Sequence, residues 1–116
     1  MFYYVGHMSD ERLGEFEQIV LLGVLRLAGN AYGLSVRREI LARTGREVAI
    51  GAVYATLDRL DAKGYLRSHT GAASSERGGR AKRCFAVTAK GERALQASRR
   101  DLLLMAEGLD LKWRPA

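Results

Sequence analysis

The chain has 116 residues, of which 47% are hydrophobic, and a formal net charge of +6 at pH 7. This length supports one hydrophobic core rather than two ordinary domains. The single cysteine, Cys84, excludes an internal disulfide, and two distant histidines, His7 and His69, do not form a zinc site. The longest apolar run, residues 19–25, is far shorter than the roughly 20 residues that span a membrane. We therefore expect a soluble, cytoplasmic, single-domain protein without a metal or a cofactor.

The N-terminal half shows the periodicity of three helices. Residues 1–8 have no signal-peptide pattern and are interpreted as a tag or a short arm. Apolar residues recur at helical spacing over residues 13–28, which predicts a first helix that ends at Gly29-Asn30. A second helix is predicted from Gly33 or Leu34 to about Thr44. Its inward residues are expected to be Val36, Ile40 and Leu41.

A third helix follows after a connection of four residues, from about Ile50 to Lys63. Its inward residues, which form the core stripe of this helix, are expected to be Ile50, Val53, Leu57 and Leu60. Two short helices joined by a short turn are typical of a helix-turn-helix motif. Beyond Gly64, residues 65–69 alternate as a strand does, residues 70–79 are rich in Gly, Ala and Ser, and residues 81–87 again resemble a strand. This pattern predicts a β-hairpin with a flexible loop.

The excess positive charge is concentrated at this hairpin. Residues 76–100 hold eight Lys or Arg and two Glu, and four of the cations surround the Gly78-Gly79 turn. Each cation that neutralises a phosphate releases condensed counterions, so a basic hairpin tip suits a nucleic-acid backbone. Charge runs are also common on solvated faces, and charge placement alone leaves both interpretations open.

A long helix is predicted from the N-cap Thr88 to about Leu109. Leu95, Leu102 and Leu109 repeat every seven residues, and neighbouring apolar positions widen this stripe. The stripe is too broad for a solitary surface helix, which favours a homodimer; the alternative is that the helix folds back on the first helix. The predicted dimer interface comprises Phe16, Val20, Leu95, Leu102, Met105 and Leu109.

Two runs, from Ile50 to Leu66 and from Glu76 to Gly91, resemble the recognition-helix and wing motifs of PadR-like transcriptional regulators. The resemblance covers about residues 13–105, and Cys84-Phe85 departs from the two aromatic residues common there. It implies a mainly α fold with a small β-hairpin wing. A winged helix-turn-helix domain is expected over residues 9–88, followed by a dimerisation helix and tail over residues 89–116.

The resemblance also implies a function. It suggests a bacterial, sequence-specific DNA-binding repressor, associated with the nucleoid when bound, that occludes a palindromic promoter site as a dimer. If a small hydrophobic or aromatic effector releases it, we expect the pocket between the dimer helices and the first helix, at Phe16, Met105 and Trp113. No catalytic constellation can be assembled, so we do not expect an enzyme. A DNA-independent interaction module built on the long helix remains the alternative.

The expected DNA contacts follow from the docking geometry of such motifs. The start of the third helix enters the major groove with small, mostly apolar side chains, which can contact thymine methyls. Tyr54 is out of phase with the core stripe, so its hydroxyl either reaches a phosphate or packs by the wing. Arg59 and Lys63 are expected near the flanking backbone, with Asp58 and Asp61 close enough to pair with them. The predicted set is Tyr32, Ser35, Ala49, Ile50, Gly51, Tyr54, Arg59, Lys63, Arg77, Gly79, Arg80, Lys82 and Arg83, with Arg80 first for the minor groove.

Overall fold

The computed structural model describes residues 12–73 and 81–111. Three helices are followed by a two-stranded hairpin and a long last helix, which confirms the predicted winged helix-turn-helix order. Within these residues, none of the helices has both the length and the apolar character needed to cross a membrane. The elements are α1 (Glu15–Arg26), α2 (Gly33–Thr44), α3 (Ile50–Ala62), β1 (Leu66–Ala73), β2 (Ala81–Val87) and α4 (Ala89–Ala106).

The core lies where α1, α2 and α3 meet beneath the hairpin. Burial of these apolar side chains is the main force that holds the elements together. Leu41 was predicted to face inward but is 40% exposed. The inward stripe of α2 is narrow, with Val36 and Ile40 filling it, and Leu41 lies about 100° further around the helix. The largest fully buried side chains are Leu21, Leu57, Leu60, Val20, Val36 and Val53.

The hairpin is antiparallel, and its register sets which side chains share a face. Leu66 pairs with Val87, Ser68 with Phe85 and Thr70 with Arg83, and the pairing becomes irregular between Thr70 and Ala73. The strand β1 therefore extends four residues beyond the predicted segment 65–69. Leu66 and Phe85 are buried, so the base of the hairpin is anchored in the core.

The first half of helix α4 is packed against the rest of the chain, and its second half is exposed. The Thr88 hydroxyl accepts a hydrogen bond from the Gly91 amide at 3.0 Å, which confirms the predicted N-cap. Ser98 is buried, and its hydroxyl accepts from the Leu13 amide at 2.8 Å. The first half of α4 thus packs on its own chain, as the fold-back alternative expected, whereas Leu102 and Met105 further along are 65% and 79% exposed.

Candidate nucleic-acid interface

The start of α3 presents an open surface. Ala49, the N-cap residue, and Gly51 are exposed, and a Cβ added to Gly51 would meet no atom within 4 Å. Ile50 differs from its neighbours, because it is half-buried and packs against the core. Ala49 and Gly51 therefore offer a smooth surface on which a groove can approach the helix backbone, while much of the Ile50 side chain is already used for packing.

Tyr54 lies beside this surface and packs on the first turn of α2. It is 48% exposed. A Cβ added to Gly33 would lie 2.1 Å from the Tyr54 Cε1 atom and 2.7 Å from Cζ, which carries the hydroxyl. The ring can occupy this position only because residue 33 has no side chain. The hydroxyl end of Tyr54 is thereby brought to the N-terminus of α2, where backbone amides without intrahelical partners and the helix dipole favour an anion.

The wing reaches the same helix end through Lys82. Its Nζ atom lies 4.5 Å from the centroid of the ring of Tyr32, the N-cap residue of α2. An ammonium group over an aromatic face is attracted by the ring quadrupole. We call Tyr32, Gly33, Tyr54 and Lys82 the tyrosine–lysine cluster. It joins α2, α3 and β2, three separate parts of the chain, around one helix N-terminus.

Ser35, predicted to anchor a DNA backbone, is buried and occupied internally. Its hydroxyl accepts from the Tyr32 amide at 2.9 Å and lies 2.8 Å from the Asn30 carbonyl oxygen. With 7% of its surface exposed, it fixes the loop before α2. The expectation of a phosphate contact at Ser35 is therefore withdrawn.

Arg59 and Lys63 pair with Glu17 of α1 rather than with Asp58 and Asp61, which corrects the expected pairing. The distances from the Glu17 carboxylate are 3.2 Å to Arg59 Nε and 3.5 Å to Lys63 Nζ. Partial burial alone would raise the pKa of Glu17, but the Gly14 amide, the Arg59 hydrogen bond and the two positive charges outweigh it and hold this pKa below its ordinary value. Both cations lie on the flank of α3 that faces α1.

Arg83 is tied to the recognition helix. One guanidinium nitrogen donates to Asp58 at 2.6 Å and the other donates to Asp61 at 2.8 Å. The bond to Asp58, opposed by slight burial and reinforced by Asp61, raises the pKa of Arg83 above its already high ordinary value. Arg83 is therefore paired with two carboxylates of its own chain rather than left without an acidic partner. The predicted wing-tip residues Arg77, Gly79 and Arg80 lie outside the described residues.

Five of the six residues predicted for the dimer interface separate into two groups, and the sixth, Phe16, is half-buried. Val20 and Leu95 are 0% and 5% exposed in the single chain. They belong to its core and have almost no surface left for a second copy, which corrects their assignment. Leu102, Met105 and Leu109 are between 62% and 79% exposed.

Two of the three predicted effector residues, Phe16 and Met105, are among the described residues. Phe16 is half-buried, and the guanidinium carbon of Arg46 lies 5.8 Å from its ring centroid. Met105 is exposed near the end of α4, and Trp113 lies outside the described residues. A groove of about 140 Å³ between α1 and α2 includes neither Phe16 nor Met105. It is lined by Ile19, Leu22, Gly23, Arg26, Glu39, Ile40, Arg43 and Thr44.

Sequence reasoning missed the roles of Gly33 and of the acidic partners. Gly33 and Tyr54 are 21 positions apart, and only the packing of α3 on α2 brings them together. The pairing of Arg83 had a local signal that the sequence analysis did not use. Residues two apart in a strand share a face, and Phe85 faces the core, so the alternation places Arg83 on the same face of the hairpin.

Comparison with known proteins gave matches to one family model and to several solved structures. The model of the Transcriptional regulator PadR-like family matches residues 21–97. A search of curated proteins gave no match. Among solved structures, a PadR family transcriptional regulator from Eggerthella lenta is 22% identical, with a TM-score of 0.63, covering 91% of this chain and 88% of that one.

Two further structures have the same fold. A transcriptional regulator from Clostridium thermocellum is 17% identical, with a TM-score of 0.65, covering 87% of this chain and 92% of that one. A PadR family transcription regulator from Clostridium difficile is also 17% identical, with a TM-score of 0.61, covering 79% of this chain and 92% of that one. At this level of identity, the structures establish the shared fold alone.

Proposed function

The chain belongs to the PadR-like family of transcriptional regulators, and we propose that it acts as a dimeric repressor that occludes a palindromic promoter site. Family membership makes it a DNA-binding regulator rather than an enzyme, in agreement with the sequence analysis. It also makes a purely DNA-independent interaction module the weaker alternative. We propose that it acts in the bacterial cytoplasm and is associated with the nucleoid when it is bound to a promoter.

The tyrosine–lysine cluster is the observation that carries this proposal. A cation, two tyrosine side chains and a helix N-terminus converge at one place, and all of these groups suit a backbone phosphate. The exposed residues Ala49 and Gly51 lie at the start of the adjacent helix α3. With the cluster on the phosphate, this end of α3 would enter the major groove, where small side chains allow close approach and contact with thymine methyls.

The wing is proposed to add affinity beyond the cluster. Lys82 is the first described cation on β2, and Arg77, Gly79 and Arg80 precede it in the chain. We propose that Arg80 enters the minor groove, where it would read width more than sequence. Because the start of α3 has few hydrogen-bonding side chains, the wing would supply much of the discrimination through DNA shape.

The exposed end of α4 supports the dimer. Leu102 and Met105 lie on the exposed second half of α4, beyond the buried Leu95, and Leu109 follows the end of the helix at Ala106. The exposure of these three residues suits contact with a second copy. Two recognition helices related by a two-fold axis would read half-sites about 34–36 Å apart. The operator is therefore proposed to be a palindrome with half-sites one helical turn apart.

Release by a small hydrophobic or aromatic effector completes the proposal. Met105 is 79% exposed in the single chain, so a site that includes it would need walls from the second copy. Phe16 and Trp113 are the proposed aromatic contributors. An effector bound there would change the angle between the two DNA-binding domains, and thereby the half-site spacing that the dimer fits.

Selection of bound fragments from random DNA tests the regulator proposal most directly. We expect an enriched palindrome with one-turn spacing. Selection of a non-palindromic site would contradict the two-fold arrangement. Recovery of no enriched sequence, together with no salt-dependent binding to any duplex, would favour the DNA-independent alternative.

Titration against the selected duplex at several salt concentrations tests the interface. Lys82→Ala and Arg80→Ala are each expected to weaken binding and to reduce the salt slope by about one, the value for one phosphate contact. Arg26→Ala, which removes a cation at the α1–α2 groove, serves as the matched control and should leave the slope unchanged. Equal slopes for Lys82→Ala and wild type would refute the phosphate role of the tyrosine–lysine cluster.

A further inference from the structure

Arg83 connects the wing to the recognition helix through two carboxylates at once. Its Nη1 atom donates to Asp58 Oδ1 at 2.6 Å, and its Nη2 atom donates to Asp61 Oδ2 at 2.8 Å. Asp58 and Asp61 are three residues apart and lie on neighbouring positions of the same flank of α3. The planar guanidinium fork can satisfy both acceptors in one orientation, which fixes direction as well as distance.

Two neighbours hold this arrangement in place. The Arg83 guanidinium carbon lies 4.8 Å from the ring centroid of Phe85, which is itself buried in the core. Ser68, opposite Phe85 on β1, donates its hydroxyl to the same Asp61 oxygen at 3.0 Å. Both strands of the hairpin therefore contact the same flank of α3, and the guanidinium rests on a fixed aromatic surface.

Arg83 lies well away from the base of the hairpin, near the end of its regular pairing. The base of the hairpin is closed at the pair Leu66 and Val87, and Arg83 lies four residues further along, opposite Thr70. The regular pairing ends there, before the irregularity between Thr70 and Ala73. A link at this point therefore ties β2 to α3 near the end of the regular pairing.

We propose that Asp58, Asp61 and Arg83 form a latch that presets the angle between the wing and the recognition helix. Arg83 is thus a positioning residue rather than a phosphate ligand. The latch rests on the proposed DNA-binding function, because its purpose is to let α3 and the wing fit one duplex without reorganisation. A preset angle lowers the ordering cost of binding.

The two possible roles of Arg83 predict opposite changes in DNA affinity when the charges of Asp58 and Asp61 are removed. Asp58 is largely exposed, on the α3 surface that would face DNA, where a negative charge repels phosphates. If Arg83 contacted DNA directly, removal of the charges of Asp58 and Asp61 would tighten binding and free the guanidinium. If the three residues form a latch, the same removal weakens binding although it relieves repulsion.

The test compares DNA affinity and salt slope for Asp58→Asn/Asp61→Asn, Arg83→Met and Arg83→Lys. Each is expected to bind about tenfold more weakly than wild type, with an unchanged salt slope. Lysine retains the charge but lacks the fork, so it should not restore binding. Combining Arg83→Met with both Asn substitutions should cost no more than either change alone, because all three residues act as one unit.

Glu47→Gln is the matched control, because it removes an exposed negative charge next to the start of α3 without touching the latch. It should bind DNA as tightly as wild type or more tightly. Three results would each overturn the latch. They are tighter DNA binding by Asp58→Asn/Asp61→Asn, wild-type DNA affinity of Arg83→Lys, and a salt slope that falls by about one in Arg83→Met.

Hydrogen exchange of the DNA-free protein gives a second readout. Exchange of backbone amides in residues 81–87 should become about fivefold faster or more in the latch variants, with α1 unchanged. Unchanged exchange would overturn the latch, and faster exchange with wild-type affinity would overturn its positioning role. If wild type binds no DNA, the proposed function fails, and exchange alone decides whether the latch holds the wing.

Discussion

The substitution Gly91→Ala tests the packing of α4 on the hairpin. A Cβ at this position would lie 2.2 Å from the carbonyl oxygen of Tyr65 and 3.0 Å from Val87 Cγ1. The Tyr65 oxygen is a backbone atom that accepts a hydrogen bond from the Thr88 amide at 3.0 Å. It cannot move aside as a flexible side chain could, so α4 must shift away by about 1 Å to restore ordinary contact.

The cost of that shift can be estimated from two opposing effects. Alanine favours a helix over glycine by up to about 1 kcal/mol, and less in the first turn. Overpacking costs about 1–3 kcal/mol. Here the shift also moves Ala94 and Leu95 away from the core in which they are buried. We expect a net loss of about 2 kcal/mol, which corresponds to a fall in melting temperature of roughly 10 °C for a domain of this size.

Thermal unfolding followed by circular dichroism, at one fixed protein concentration, measures this loss. Gly51→Ala is the matched control, because Gly51 is also in the first turn of a helix but has no atom within 4 Å of an added Cβ. It should melt at or slightly above the wild-type temperature. If Gly91→Ala is as stable as Gly51→Ala, the reasoning from close backbone contact is refuted.

Three further predictions concern the interface, the dimer and pH. Gly33→Ala should displace the ring of Tyr54 and weaken DNA binding about tenfold, as Tyr54→Phe should; wild-type affinity would contradict this. Met105→Glu should give a monomer by light scattering, whereas Arg100→Glu, on the opposite side of α4, should leave the dimer intact. Glu17→Gln should cost about 1–2 kcal/mol of unfolding free energy at pH 7. Because folding lowers the pKa of Glu17, this difference should be present above the unfolded pKa of about 4.3 and vanish as pH falls through the folded value, and its persistence at pH 2 would contradict the assignment.

Element order and most helix ends could be predicted because their signals are local. The C-cap glycine Gly45 has a φ of 77°, and the Thr88 cap is a contact within four residues. Hydrophobic periodicity identified Val53, Leu57 and Leu60 as the buried stripe of α3. These features depend on neighbours in the sequence, which a pattern can show directly.

The division of α4 into a buried half and an exposed half could not be predicted from the same pattern. Leu95 and Leu102 occupy equivalent positions in a seven-residue repeat, and periodicity treats them alike. Only the size of the domain beneath the helix decides that Leu95 is covered and Leu102 is not. The direction of the stripe could be predicted from the sequence, but the point at which the chain stops covering it could not.

Because several cations are ion-paired within the chain, the net charge is a poor guide to how many cations are available to bind DNA. Arg59, Lys63 and Arg83 were all expected at the phosphate backbone, and the structure pairs each of them with a carboxylate of the same chain. A paired cation that moves to a phosphate gives up its carboxylate partner, which offsets part of what the phosphate contact contributes. Lys82 lies over the Tyr32 ring, a contact that binds the ammonium without cancelling its charge. The salt dependence of binding should therefore follow Lys82 and the proposed wing-tip arginines rather than the net charge of the chain.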